Sequence, residues 1–226
     1  MEKATFVRAM FDRIAPRYDL MNAVMTLGKH QQCRRAAARL AQPPRAGLAL
    51  DLATGTGDFA AALYDVEPTC RVVGVDFALE MMRLGQAKYG TRVAFTAGDM
   101  LCLPFPDDTF DCAVNGFALR NVTDVQAAFA EMYRVLKPGG RVVSLEITLP
   151  RTPLWRDVFA LYFEHMVPRL GGWLSGHADA YRYLPQSVRA FFTPDQVVEM
   201  MRAVGFCQVA VRWLMLGTMA VYVGAK

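Results

Sequence analysis

The stretch Leu48–Asp58, LALDLATGTGD, constrains the fold more than any other part of this chain. Leu48, Ala49, Leu50 and Leu52 make a short apolar run suited to a parallel strand buried on both faces. The run carries Asp51 near its end and passes at once into a bend. There Gly55 and Gly57 let the backbone turn sharply and approach a ligand with no Cβ in the way. A second apolar run, Val72 to Val75, ends in Asp76. A carboxylate at the tip of a second strand can accept hydrogen bonds from both hydroxyls of a ribose. The combination implies a nucleoside-type cofactor.

The glycines alone do not select which one. The dinucleotide fingerprint GxGxxG tolerates alanine at its third position, and Ala60 stands there. The acids decide: Asp51 before the bend, Asp76 after the second strand, and Asp99-Met100 after a third. This pattern resembles the class I methyltransferases that bind S-adenosyl-L-methionine. A sulfonium needs anionic surroundings and brings no pyrophosphate to be cradled. The plainer alternative is a structural strand–turn–helix with incidental acids.

The chain has 226 residues, enough for one large α/β domain with a small helical addition; 54% are hydrophobic and 20% charged, so it can bury a sizeable core. The net charge of +4 is mild and its arginines are dispersed, which does not imply nucleic acid. That charge permits, without demanding, a peripheral attraction to anionic lipid. Cys33, Cys70, Cys102, Cys112 and Cys207 show no CxxC pairing and no zinc spacing. The histidines His30, His165 and His177 are scattered, so no metal site is expected. A reduced, cytoplasmic setting is the simplest expectation. The N-terminal stretch is charged throughout, unlike a secretory signal, and Trp213 to Ala225 is too short to span a bilayer.

Periodicity predicts a helical cap over 1–45: Phe6, Met10 and Ile14 share a face of a helix ended by Pro16, and further helices cover Leu20 to Leu27 and His30 to Leu40. A cofactor-binding core over 46–150 alternates strands near 48–53, 71–76, 93–96, 110–116 and 141–147 with helices near 57–65, 78–89 and 125–136. Pro138-Gly139-Gly140 reads as the turn before the fifth strand. Residues 191–226 supply a closing helix and an edge hairpin, Phe206 to Arg212 with Ala220 to Gly224. The insertion over 151–190 carries Leu154, Trp155, Val158, Phe159, Tyr162, Met166 and Leu170 as one broad apolar helical face. Such a helix ordinarily packs on the sheet; it can also be a lid over a greasy substrate. Ligands bind outside the carboxyl ends of strands in open sheets, so Gly55, Asp76, Asp99 and Gly116 are expected along one rim.

Four further segments carry a narrower resemblance: Tyr18-Asp19-Leu20-Met21-Asn22, the run Gly116 to Asp124 (GFALRNVTD), Tyr133 to Gly140 (YRVLKPGG), and Tyr181 to Pro185 (YRYLP). In this order they resemble the quinone-biosynthesis C-methyltransferases, which methylate demethylmenaquinone or the ubiquinone precursor. The resemblance runs over nearly the whole chain. YRVLKPGG is shared by many methyltransferases; the other three are more specific. Two positions depart from the family pattern: Ala118 replaces a glycine, and Cys33 stands where tryptophan is common.

The resemblance implies a seven-stranded, mostly parallel sheet with helices on both faces. It implies S-adenosyl-L-methionine as cofactor, bound in part by Asp51, with Thr56 and its flanking glycines Gly55 and Gly57 at its methionine end. Asp76 would meet the ribose, Asp99 and Met100 the adenine, and Gly116 would lie near the methyl donor. Arg120 and Asn121 would face a prenylated quinol, where Arg120, always protonated, would stabilise a developing phenolate and orient a water. Tyr18, His177, Tyr181 and Tyr183 are further candidates to meet the substrate, and His165 and Asp179 are weaker candidates for proton transfer. Peripheral membrane contact and a homodimer are compatible with this reading. Two alternatives stand beside it: a methyltransferase for a soluble phenolic or polyketide, and a cofactor-binding scaffold without turnover.

Overall fold

A computed structural model describes residues 2–26, 28–175 and 178–226. Five strands run parallel: β1 (Leu48–Leu52), β2 (Arg71–Asp76), β3 (Val93–Ala97), β4 (Phe110–Gly116) and β5 (Leu136–Ile147). They are joined by β6 (Cys207–Leu214) and β7 (Met219–Ala225), and the sheet order is β3-β2-β1-β4-β5-β7-β6. β7 is antiparallel to both of its neighbours. The expected closing hairpin is therefore inserted, with β7 against β5 and β6 alone at the edge. β5 begins earlier than the Pro138-Gly139-Gly140 turn predicts. Leu136 already pairs with Phe110, and the ladder resumes at Cys112 and Arg141 after an irregularity that holds Gly139 at φ +79°.

The helices are α1 (Glu2–Ile14), α2 (Tyr18–Thr26), α3 (His30–Ala41), α4 (Asp58–Val66) and α5 (Leu79–Tyr89), then α6 (Val125–Val135), α7 (Pro153–Leu161), α8 (Val167–Ser175), α9 (Ala178–Arg189) and α10 (Pro194–Val204). The alternation of β1 sends Leu50 and Leu52 to one face, where Phe129 and Met132 of α6 and Val197 and Met201 of α10 complete a core. It sends Ala49 to the other face, with Ala37 and Ala38 of α3 and Phe59 and Leu63 of α4. Asp124 caps α6 by accepting from the Ala127 amide, and Thr193 with Gln196 forms a capping box before α10.

The insertion departs from one continuous apolar face. A π turn over Tyr162–Met166 separates α7 from α8. One extra residue per turn shifts the phase of every side chain beyond it. Phe163 and Val167, within and just beyond the π turn, are buried; Met166 is exposed, as are Leu154, Val158 and Leu161 ahead of the turn. Phe159 stacks on Phe163 with ring centroids 5.2 Å apart.

Asp58, at the first position of α4, ties the helical cap to the sheet. Its buried carboxylate accepts from Gln31 Nε2 at 2.7 Å, Lys88 Nζ at 2.6 Å and Tyr89 Oη at 3.1 Å, and it lies 3.8 Å from Arg34 Nη1. Lys88 also donates to Asp19 of α2 at 2.9 Å.

Candidate active site

The strand order reverses on either side of β1, which opens a crevice at the carboxyl ends of β1 and β4. A cleft of about 680 Å³ occupies that place. Gly55, Asp76, Asp99, Met100 and Gly116 line it, joined by Phe11 and Tyr18 from the cap. Asp76 Oδ2 accepts from the Gly55 amide and Oδ1 from the Ala78 amide, both at 2.8 Å, and the Phe77 amide also favours its charged form. Burial pushes this carboxyl up to about 6. Among the described residues lining the cleft there are two acids and no Lys, Arg or His. A pyrophosphate would find no cationic side chain here; a sulfonium or an ammonium would find carboxylates.

Three residues expected at the cofactor lie elsewhere. Asp51 does not line the cleft: it is buried beneath the bend, where Oδ2 accepts from Thr54 Oγ1 at 2.7 Å and from the Ala60 amide at 2.9 Å. Its carboxyl, pushed up to about 7 by burial, holds the loop and the start of α4 in place. Thr56 is also buried and donates to Asp19 Oδ1 at 2.8 Å, fastening α2 to the bend. Gly57 sits at φ +81°, and a Cβ there would lie 2.8 Å from Phe95; it serves packing under α4. Of the bend, Ala53 and Gly55 line the cleft.

A second cavity of about 980 Å³ opens beside the first. Phe11, Tyr18, Phe117 and Asn121 line both. Aliphatic and aromatic side chains form most of its wall, including Phe159, Tyr162 and Phe163 of the insertion. Arg120 and Asn121, on a short turn after β4, both face it, as do Tyr18, Tyr181 and Tyr183. Arg120 Nη1 lies 2.8 Å from Glu146 Oε2, and Glu146 is 0% exposed. Burial raises the Glu146 carboxyl, partly offset by the Arg120 charge and by the amides of Arg120 and Leu119. Tyr183 Oη donates to Asn121 Oδ1 at 3.2 Å, and Asn121 Nδ2 donates to the Phe117 carbonyl at 3.2 Å.

Phe117 holds φ +61°, a conformation that a bulky side chain rarely adopts. Its ring, between the two cavities, receives the Arg34 guanidinium 5.3 Å from its centroid and that of Arg120 at 6.0 Å. Ala118, where the family pattern has glycine, sits at φ −106°, so alanine costs nothing locally.

The weaker candidates separate. His165 is exposed on the π turn and does not line the chamber, and exposed Asp179 pairs with Arg13 of α1. His177 lies outside the described residues. Three residues of the site escape sequence reasoning: Glu146, His30 and Phe117. Glu146 left a trace, since an acid inside the apolar run VVSLEI requires a buried cation nearby. His30, at the start of α3, lines the chamber although nothing around it in sequence marks it.

A parallel sheet with one reversed strand, an acid-lined switch-point cleft and an adjoining apolar chamber define a class I methyltransferase. Solved structures agree on the fold: an S-adenosylmethionine-dependent methyltransferase of Thermotoga maritima superposes with TM-score 0.70 at 20% identity, covering 96% of this chain and 99% of that one. Phosphoethanolamine N-methyltransferase 2 of Haemonchus contortus gives 0.65 at 15% identity, over 86% of this chain and 52% of that one.

The chain belongs to the ubiE/COQ5 methyltransferase family, matched over residues 1–226. A demethylmenaquinone methyltransferase of Roseiflexus castenholzii is 48% identical, covering 100% of this chain and 95% of that protein. One from Deinococcus radiodurans is 46% identical over 100% of this chain and 94% of its own length. The ubiquinone/menaquinone biosynthesis C-methyltransferase UbiE of Desulfotalea psychrophila is 40% identical over 100% and 92%.

Proposed function

We propose that this protein methylates a ring carbon of a prenylated quinol, demethylmenaquinol foremost, with S-adenosyl-L-methionine as the methyl donor. The observation that carries this reading is the meeting of two unlike cavities at Phe117 and Asn121: one acid-lined and free of bases, the other apolar with a buried cation. The names of the Roseiflexus and Deinococcus relatives favour the naphthoquinol. In this reading the cofactor supplies an electrophilic methyl group. Asp76 accepts from the ribose hydroxyls, Asp99 and Met100 flank the adenine, and Gly55 and Gly116 let the donor lie close to the backbone. Arg120 faces the quinol oxygen and offsets the charge that develops there. Alignment of the ring in the chamber supplies much of the rate, about 7–11 kcal/mol in favourable cases.

Incubation with labelled cofactor and reduced quinones, each with and without a prenyl tail, tests the reading by product mass. Methylation of the tailed naphthoquinol is expected. Turnover confined to tail-less phenols would replace it with the soluble-substrate reading, and cofactor binding without any methylation would leave a scaffold.

Cofactor affinity should depend on pH through Asp76. Its carboxyl lies at about 6, so below that it takes a proton and loses acceptor capacity. Calorimetric titration should show affinity weakening by up to about tenfold per unit below about pH 6 and level above it. Affinity unchanged across that window would detach Asp76 from the ribose.

The same reading extends to peripheral contact with a lipid surface. Leu154, Trp173 and Leu216 are 78%, 80% and 82% exposed, on elements whose other faces line or adjoin the chamber. No helix among the described residues is long and apolar enough to cross a membrane. Co-sedimentation with vesicles is expected to fall when Trp173 and Leu216 become serine; absence of any vesicle binding removes this extension.

A further inference from the structure

His30 lines the quinol chamber as a buried imidazole, and its hydrogen bonds determine its tautomer. Thr26 Oγ1 lies 2.6 Å from the Asn22 carbonyl oxygen, which only accepts, so the hydroxyl proton is spent there. The same oxygen accepts from the His30 amide at 3.2 Å and stands 2.9 Å from His30 Nδ1. With no hydroxyl proton left, Nδ1 must be the donor. The hydroxyl is then saturated, with one bond given and two received. Nε2 keeps its lone pair and makes no hydrogen bond with a described residue.

Resting on the quinol reading above, we infer that His30 Nε2 is the general base that removes the quinol hydroxyl proton, with Thr26 and Asn22 as positioning residues that hold its tautomer. The O–H bond breaks, an Nε2–H bond forms, and the electron pair stays on oxygen, where it raises the electron density of the ring carbon. When the methylated ring carbon loses its own hydrogen to water, the imidazolium returns its proton to the oxygen. One proton is released overall.

The other polar groups of the chamber are unsuited to this step. Arg120 stays protonated and is paired with Glu146. Asn121 is not basic, and burial raises the phenols of Tyr162 and Tyr183, which stay protonated. No carboxylate or lysine is among the described residues lining the chamber. Charged groups acting on the ring are Arg34 on α3, Asp58 on α4, Asp19 on α2 and Lys88 on α5, with Arg120 in the same chamber. Burial, aided by Arg34, outweighs the acids and holds the imidazole below its ordinary value, so it is neutral near pH 7. Arg120 would steady the phenolate that His30 creates.

His30→Asn is the informative substitution, because the Asn amide can still donate to Thr26 yet offers no basic nitrogen. Turnover should fall about 10²–10⁴-fold while cofactor affinity, KM and melting temperature stay near wild type. The acid limb of the kcat profile should disappear with it. Imidazole added to His30→Ala should restore turnover in proportion to its free-base form. Nitrogen-15 NMR of the wild-type ring gives a readout independent of turnover, and a neutral ring protonated on Nδ1 is expected. An Nε2–H tautomer, or wild-type turnover by His30→Asn, would overturn the role. Wild-type protein that methylates no quinol overturns the quinol reading and this role together. Wild-type methylation matched by the variant overturns the role alone.

Discussion

Arg120→Ala is expected to lose both methyl transfer and stability. Glu146 is 0% exposed and its carboxylate faces Arg120 at 2.8 Å, so deleting the guanidinium strands a buried negative charge. Breaking such a pair typically costs about 3–5 kcal/mol, whereas replacing both partners by neutral groups of similar shape is often close to neutral. Urea unfolding should therefore show a large drop in midpoint for Arg120→Ala and recovery in the double variant Arg120→Met with Glu146→Gln. Under the proposed quinol reading, turnover should stay down in both, by about 10²–10³-fold, because the preorganised charge facing the quinol oxygen would be missing. Turnover that returns with stability in the double variant would remove Arg120 from the chemistry. Turnover of Arg120→Ala alone is an insufficient test, because the stranded Glu146 carboxylate also unsettles the fold.

Asp58→Asn should destabilise the fold by a similar amount, about 3–5 kcal/mol, through Arg34, whose side chain is only 6% exposed and loses its counter-charge. Burial pushes the Asp58 carboxyl up, but Arg34 and Lys88 outweigh it and hold the carboxyl below the ordinary range. A depressed acid stabilises above its unfolded value of about 4 and loses that contribution as pH falls through the folded value. Thermal melts should show the wild type converging on Asp58→Asn below about pH 4 and separating from it toward neutrality. Parallel curves at every pH would mean that the charge of Asp58 contributes nothing to the cap.

The sheet was legible because its signals are local. The runs of β1, β2 and β4 are apolar on both faces, and Gly55 and Gly57 mark the bend between β1 and α4. The rim followed from topology, since any strand that ends beside the switch point delivers its next residue to the same edge. Asp51 and Thr56 were harder to read. A carboxylate or hydroxyl near a glycine bend can serve a ligand or the bend itself, and only the partners Thr54, Ala60 and Asp19 show that here they serve the bend. The insertion differs for another reason: Leu154 and Val158 of α7 stay exposed, and the π turn at Tyr162–Met166 then breaks the constant turn that helical periodicity assumes.

The class of fold, the family and the order of the rim are written locally in the chain, because apolar runs, glycine bends and terminal acids act over a few neighbouring residues. The surroundings of the chamber are set by packing between distant elements. Arg120 meets Glu146 across 26 positions, Tyr183 meets Asn121 across 62, and His30 arrives from the cap. Those encounters depend on how helices seat against the sheet, and no spacing along the chain encodes them. The tautomer inferred for His30 differs in kind: its bonds to the Thr26 hydroxyl are local, each spanning four positions, and tertiary packing adds the chamber that the ring lines.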